Sequence, residues 1–160
     1  MTLSIGDKIP QATFMTMTAE GAGPITSDSL FAGKKVVLFA VPGAFTPTCS
    51  AKHVPGFVTH ADALKAKGVD TVACVSVNDV FVMAAWGKDQ NAGDAVMMLA
   101  DGNGTFAEDI GLTMDGSGFG MGKRSQRYAM IVDDGTVTGL YVEEPGAFHV
   151  SSAEYVLEQL

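Results

Sequence analysis

The segment Lys35-Val36-Val37-Leu38-Phe39-Ala40-Val41 constrains the fold of this chain more than any other stretch. It is apolar without alternation and stops at Pro42-Gly43. A strand with one face in water alternates polar and apolar side chains. A strand that shows no alternation is covered on both sides, as in a parallel sheet with helices on each face. Residues 69–77 (VDTVACVSV) and 96–100 (VMMLA) repeat the pattern.

Helical spacing fills the gaps between these runs. Over residues 48–67, Val54, Phe57, Val58, Ala61 and Leu64 recur at helical intervals, and Pro55 is expected to kink or break that helix. Asn78-Asp79 caps a helix expected over 80–88, and 105–110 reads as a short one. Residues 26–31 read as a capped helical turn ending at Gly33. Residues 5–10 and 12–18 are polar and β-rich, which suits a hairpin or edge strands. Residues 114–123 are Gly-rich and expected to be irregular. A strand over 127–132, the turn Asp133-Asp134-Gly135 and a strand over 136–142 form a hairpin. Ser151 and Glu154 mark a capping box that opens a final helix over 151–160. The order β-α-β-α-β-α-β-β-α predicts one α/β domain over residues 1–160, with a mixed sheet flanked by helices on both faces.

Composition excludes several functions. With 160 residues, 47% hydrophobic and 18% charged, the chain is globular in type. A net charge of −8 and only two arginines, Arg124 and Arg127, argue against a nucleic-acid partner. No apolar run reaches the length of a membrane span, and the first residues carry no basic-then-apolar leader. Cys49 and Cys74 are too few for a disulfide scaffold and form no CxxC pair. A cytoplasmic protein with free thiols is expected. Three histidines without a carboxylate cluster predict no metal site, and Gly116-Ser117-Gly118-Phe119-Gly120 lacks the strand, helix and lysine of a phosphate cradle.

The apolar strand 36–41 runs into Pro42-Gly43-Ala44-Phe45-Thr46-Pro47-Thr48-Cys49. Cys49 falls in the first turn of the following helix, where free N–H groups and the helix dipole favour a thiolate, the nucleophilic form. Thr46 lies about one turn before it, within reach of the sulfur or of an oxygen beside it. Pro42 and Pro47 restrict the backbone. A thiolate and a polarised O–O bond both call for a fixed cation with several donors, and Arg127 opens an apolar strand. Arg124, in Lys-Arg-Ser-Gln, reads equally as a solvated charge. His53, four residues after Cys49, is either a partner of the nucleophile or a structural residue that shares its face.

Pro42, Thr46 and Cys49 meet the peroxiredoxin signature Pro-x-x-x-Thr-x-x-Cys, and VPGAFTPTCSAKHVPGF resembles the peroxiredoxin-5 subgroup. The resemblance extends through residues 72–86, 99–112 and 123–135. It implies a thioredoxin-like fold and a thiol peroxidase that reduces hydrogen peroxide and alkyl hydroperoxides. Cys49 would be the peroxidatic cysteine and pass through sulfenic acid. Thr46 would bond peroxide and sulfur, Pro42 would shield the sulfur from water, and the position matching the family's arginine is Arg127. Gly43, Phe45 and Phe119 are expected to line the substrate mouth. The resemblance also implies a homodimer, and no cofactor beyond an external thiol.

Many relatives of that subgroup carry a resolving cysteine after the last hairpin. Residues 146–152 contain none here. Cys74 sits mid-strand and reads as a core residue. A one-cysteine cycle is therefore expected; resemblance to bacterial members that lack the resolving cysteine implies glutathione, with or without glutaredoxin, as the donor, and a thioredoxin-type donor is the second choice. Two other functions compete with the enzyme. One is a peroxide sensor that relays oxidation through a mixed disulfide. The other is a binding module with an inert cysteine, which has no physical need of Pro42, Thr46, Cys49 and Arg127 together.

Overall fold

A computed structural model describes residues 2–160. The apolar run forms β3 (Lys35–Ala40), and it lies inside the sheet as its pattern demands. β4 (Thr71–Ser76) and β5 (Met97–Ala100) follow in parallel, giving β3-β4-β5 as the buried centre. Antiparallel strands complete both sides. β1 (Thr13–Thr18) and β2 (Gly21–Thr26) extend the sheet beyond β5, and β8 (Tyr128–Asp133) and β9 (Thr136–Val142) extend it beyond β3. The order is β2-β1-β5-β4-β3-β8-β9, a mixed sheet of the thioredoxin-like α/β type.

The alternation along β3 separates two cores. Val36, Leu38 and Ala40 face one core with Phe14, Phe31, Phe106 and Tyr128. Val37, Phe39 and Val41 face the other with Phe57, Leu64, Met83 and Trp86. On the first face lie α1 (Ser27–Phe31), capped by the Thr26 hydroxyl, and α5 (Thr105–Asp109). On the second lie α2 (Val54–Thr59), α3 (Ala61–Ala66), α4 (Val80–Asp89) and α6 (Ala153–Glu158). Asp79 caps α4 by accepting from Val82 N–H at 2.8 Å, as the sequence predicts.

Four expectations need correction. Residues 48–67 do not form one kinked helix. Cys49–His53 is a π-helical turn in which Val54 N–H bonds to the Cys49 carbonyl. Pro55 has no N–H with which to continue an α-helical ladder, so the chain widens by one residue before it. A second break at His60 (φ −97°, ψ 10°) separates α2 from α3. Residues 114–123 are not wholly irregular either. β6 (Thr113–Asp115) pairs with β7 (Lys123–Ser125) around a 3-10 turn at Ser117–Phe119. Residues 5–10 contribute only a bridge between Lys8 and Thr136, while the strand partner of β1 is the glycine-rich β2. At the sheet edge, pairing along the whole length of β1 overrides the weak strand propensity of Gly21, Gly23 and Pro24. Finally, the cap of α6 is Ser152, which accepts from Tyr155 N–H at 3.2 Å; Ser151 bonds elsewhere.

Candidate active site

The site forms where β3 ends. Residues 42–48 leave the sheet, and the π-helical turn brings Cys49 back beneath the strand, into the second core with no exposed surface. Two features shape the connecting loop. Gly43 is buried, and a side chain there would meet Met121 Cε at 3.1 Å and Thr46 Cγ2 at 3.2 Å. Phe45 has φ +64°, a left-handed conformation uncommon for a bulky residue. Asn78 steadies this turn from the end of β4, its Oδ1 accepting from Ala44 N–H at 3.0 Å.

Three predicted residues meet at the sulfur. The Thr46 hydroxyl lies 2.9 Å from Cys49 Sγ and 2.6 Å from the Gly43 carbonyl. It has one proton, so it can donate to only one of them at a time. Arg127 Nη2 donates to Cys49 Sγ at 3.1 Å. Two donors converging on one buried sulfur suit an anionic atom. Pro42 is half-buried at the head of the loop. Phe45 is 53% exposed with its ring 6.4 Å from that of Trp86, and Phe119 is 84% exposed on the 3-10 turn.

His53 takes the structural alternative left open by the sequence. Arg127 Nη1 donates to its Nδ1 at 2.7 Å, so the ring proton sits on Nε2, which donates to the Ser151 carbonyl at 2.9 Å. Burial, with the Arg127 charge adding to it, lowers its pKa from 6.5 to about 3. The ring is therefore neutral, and it orients the arginine rather than the thiol.

A pH dependence of stability follows from this. The unfolded histidine takes a proton near pH 6.5 and the folded one only near pH 3. The stability is full above pH 6.5 and falls as the pH drops through that window. The slope for this one group is about 1.4 kcal/mol per pH unit once the pH is below the unfolded pKa. Urea midpoints at pH 7 and pH 5 should fall more in the wild type than in His53→Asn. Equal falls would mean that His53 is not buried neutral.

Sequence reasoning left Arg124 undecided. It is half-buried, and it donates to the Met121 carbonyl at 2.9 Å and the Val77 carbonyl at 3.1 Å. It ties the β6–β7 hairpin to the segment that follows β4 and is not a solvated charge. Trp86 also reaches this turn: its indole donates to the Ser50 hydroxyl at 3.0 Å, one residue after Cys49. Neither contact has a local sequence signal, because the partners lie 47 and 36 residues apart. Cys74 is fully buried in β4, and burial, together with the nearby Cys49, pushes its thiol well above the ordinary range. Two surface hollows, of about 510 and 890 Å3, are lined by other residues, including Thr13 and Asp109 in one and Lys88 and Asn91 in the other. Among the described residues no cluster of three or more His, Cys, Asp and Glu side chains is arranged to hold a metal, and no helix is long and apolar enough to cross a membrane.

Comparison with known proteins places this arrangement in a family. The Redoxin family model matches residues 4–157. Peroxiredoxin-2E, chloroplastic, of Arabidopsis thaliana is 52% identical over 162 residues, covering 99% of this chain and 69% of the relative. Peroxiredoxin-2B of the same organism is 48% identical over 159 residues, covering 99% and 98%. The crystal structure of reduced Prx3 from Vibrio vulnificus in complex with hydrogen peroxide superposes with a TM-score of 0.95 at 57% identity, with 99% of each chain covered. Sequence and fold agree: this chain belongs to the redoxin family as a peroxiredoxin, a peroxidase that reduces peroxides at the expense of a thiol.

Proposed function

We propose that Cys49 is the peroxidatic cysteine and that it works in a one-cysteine cycle. The observation that carries this reading is the pair of donors, Thr46 Oγ1 and Arg127 Nη2, at 2.9 and 3.1 Å from Cys49 Sγ. The Cys49 thiolate attacks the terminal oxygen of a hydroperoxide. The S–O bond forms as the O–O bond breaks, the sulfur becomes sulfenic acid, and the leaving alkoxide or hydroxide takes a proton to become alcohol or water. Thr46 and Arg127 hold the oxygens in line and stabilise the charge that moves from sulfur to the leaving oxygen. Pro42 and Gly43 wall the sulfur from bulk water, and Phe45 and Phe119 offer an apolar rim to an alkyl hydroperoxide.

An external thiol, glutathione with or without glutaredoxin, then condenses with the sulfenic acid, releasing water and leaving a mixed disulfide. A second thiol displaces Cys49 and leaves as the oxidised disulfide. The absence of cysteine in residues 146–152 and the burial of Cys74 support this choice over an internal disulfide recycled by thioredoxin. Free thiols fit a reducing compartment such as the cytoplasm. Phe81, 68% exposed and outside that rim, is apolar surface that a homodimer would cover.

One equivalent of hydrogen peroxide followed by intact-mass measurement tests the cycle. The expected product is one added oxygen that disappears on adding glutathione. A loss of two hydrogens, or a species of twice the mass, would replace the one-cysteine cycle by a disulfide within or between chains. Cys74→Ser is expected to turn over peroxide with glutathione within about twofold of the wild-type rate, since a buried, protonated thiol takes no part. A collapse of turnover in a folded Cys74→Ser protein would give Cys74 a redox role.

A further inference from the structure

The segment between β9 and α6 has no part in the steps above, yet it is built around a buried carboxylate. Glu143 is 8% exposed. Its Oε2 accepts three hydrogen bonds: from His149 N–H at 2.5 Å, Ser151 N–H at 3.0 Å and the Ser151 hydroxyl at 2.7 Å. Burial alone would push this carboxyl up, but the donors prevail and hold it below its ordinary range, so it is ionised. The backbone of Glu143 is tied to the same place, its N–H donating to the Arg127 carbonyl at 3.0 Å.

The closed loop delivers two groups to the site. The Ser151 carbonyl meets His53 Nε2 at 2.9 Å, and the Phe148 ring stands edge-on to His53 at 5.1 Å and 5.9 Å from Arg127 Cζ. Arg127 is a long side chain that must present one particular N–H to the sulfur. Neither ion pair among the described residues involves it, so no carboxylate neutralises it directly. A neutral imidazole holds it instead, which leaves its charge for the sulfur and the peroxide. The imidazole can accept from Arg127 only while its proton stays on Nε2, and the Ser151 carbonyl keeps it there.

We propose that Glu143 is a positioning residue for the peroxide step: its carboxylate latches residues 148–151, the Ser151 carbonyl fixes the tautomer of His53, and His53 holds Arg127 Nη2 on Cys49 Sγ. The proposal rests on Cys49 and Arg127 acting as described above. It assigns Glu143 a role that reaches the guanidinium through Ser151 and His53, fixing the charge without neutralising it.

The test is a double-mutant cycle on the rate of Cys49 oxidation by hydrogen peroxide, read by rapid quench and intact mass. Glu143→Ala is expected to oxidise about tenfold more slowly than wild type, the scale on which partners one shell removed from the chemistry are felt. Arg127→Lys is expected to be slow, and the double variant no slower than Arg127→Lys, because the latch acts only through the guanidinium. Glu143→Gln keeps an acceptor of the same reach and should recover most of the rate. Glu143→Ala as fast as wild type beside a slow Arg127→Lys would overturn the latch and leave the role of Arg127 standing. A double variant slowed by the full product of both effects would also overturn it. A wild-type rate in Arg127→Lys would sink both readings. Should Glu143→Ala lack native circular dichroism, Ser151→Ala carries the same cycle. It removes one of three donors and is expected to slow oxidation about threefold, and only when Arg127 is present; an unchanged rate overturns the latch.

Discussion

Cys49→Ser is expected to lower peroxide turnover by at least about 10³-fold and to leave the fold in place. The loss is this large because a hydroxyl does not ionise near neutral pH and a thiol does, so the variant has donors but no nucleophile. The neighbours do not depend on the sulfur for their own order. Arg127 is held by His53, and the Thr46 hydroxyl has the Gly43 carbonyl as a second partner at 2.6 Å. A serine hydroxyl can take the place of the sulfur between these donors, so the cost in stability is about 1 kcal/mol. Peroxide consumption with glutathione, beside a thermal melt, measures both. Turnover within tenfold of wild type in a folded Cys49→Ser protein would remove Cys49 from the reaction and send the search to Cys74.

Thr46→Val is expected to slow Cys49 oxidation by about 10²-fold, with a smaller effect on the step that consumes glutathione. Valine keeps the branched outline of threonine and the methyl beside Gly43, but it loses the O–H that meets the Gly43 carbonyl and the sulfur. That hydroxyl can turn from the Gly43 carbonyl to the sulfur or to a peroxide oxygen as charge moves, because both partners lie within 2.9 Å. A donor that strengthens its bond only in the transition state lowers the rate about 10²-fold when removed. Rapid mixing with hydrogen peroxide isolates the step. A Thr46→Val protein oxidised at the wild-type rate would leave the hydroxyl as a support for the loop. The contrast with Cys49→Ser is informative: one removes the reacting atom, the other only its alignment.

The parts of the site that lie close in sequence were legible before folding. Pro42, Thr46 and Cys49 sit within one loop and turn, so their spacing already places a hydroxyl beside a thiol. Arg127 was legible because the chain has only two arginines and one of them opens a buried strand. What spacing could not reveal were contacts between distant segments: Arg124 to Val77, Trp86 to Ser50, and His53 to Ser151. Residue type did not help, since a histidine one turn from a cysteine reads as well as a catalytic partner as it does as a support. The π-helical turn was half visible. Pro55 announced a break, but whether the ladder would kink, end or widen depended on packing against β3.

The sequence by itself determined the order of elements and the central strands, because uninterrupted apolar runs are stable only when both faces are covered. It also placed a hydroxyl beside a thiol, because Thr46 and Cys49 share one turn of chain. The tertiary structure alone decided how the arginine is held. Arg127 lies 78 residues from Cys49, His53 reaches it across 74, and Glu143 binds Ser151 across the loop between β9 and α6. Contacts of that kind depend on where the sheet carries each segment, and hydrophobic periodicity specifies which face is buried but not which polar atoms meet across it.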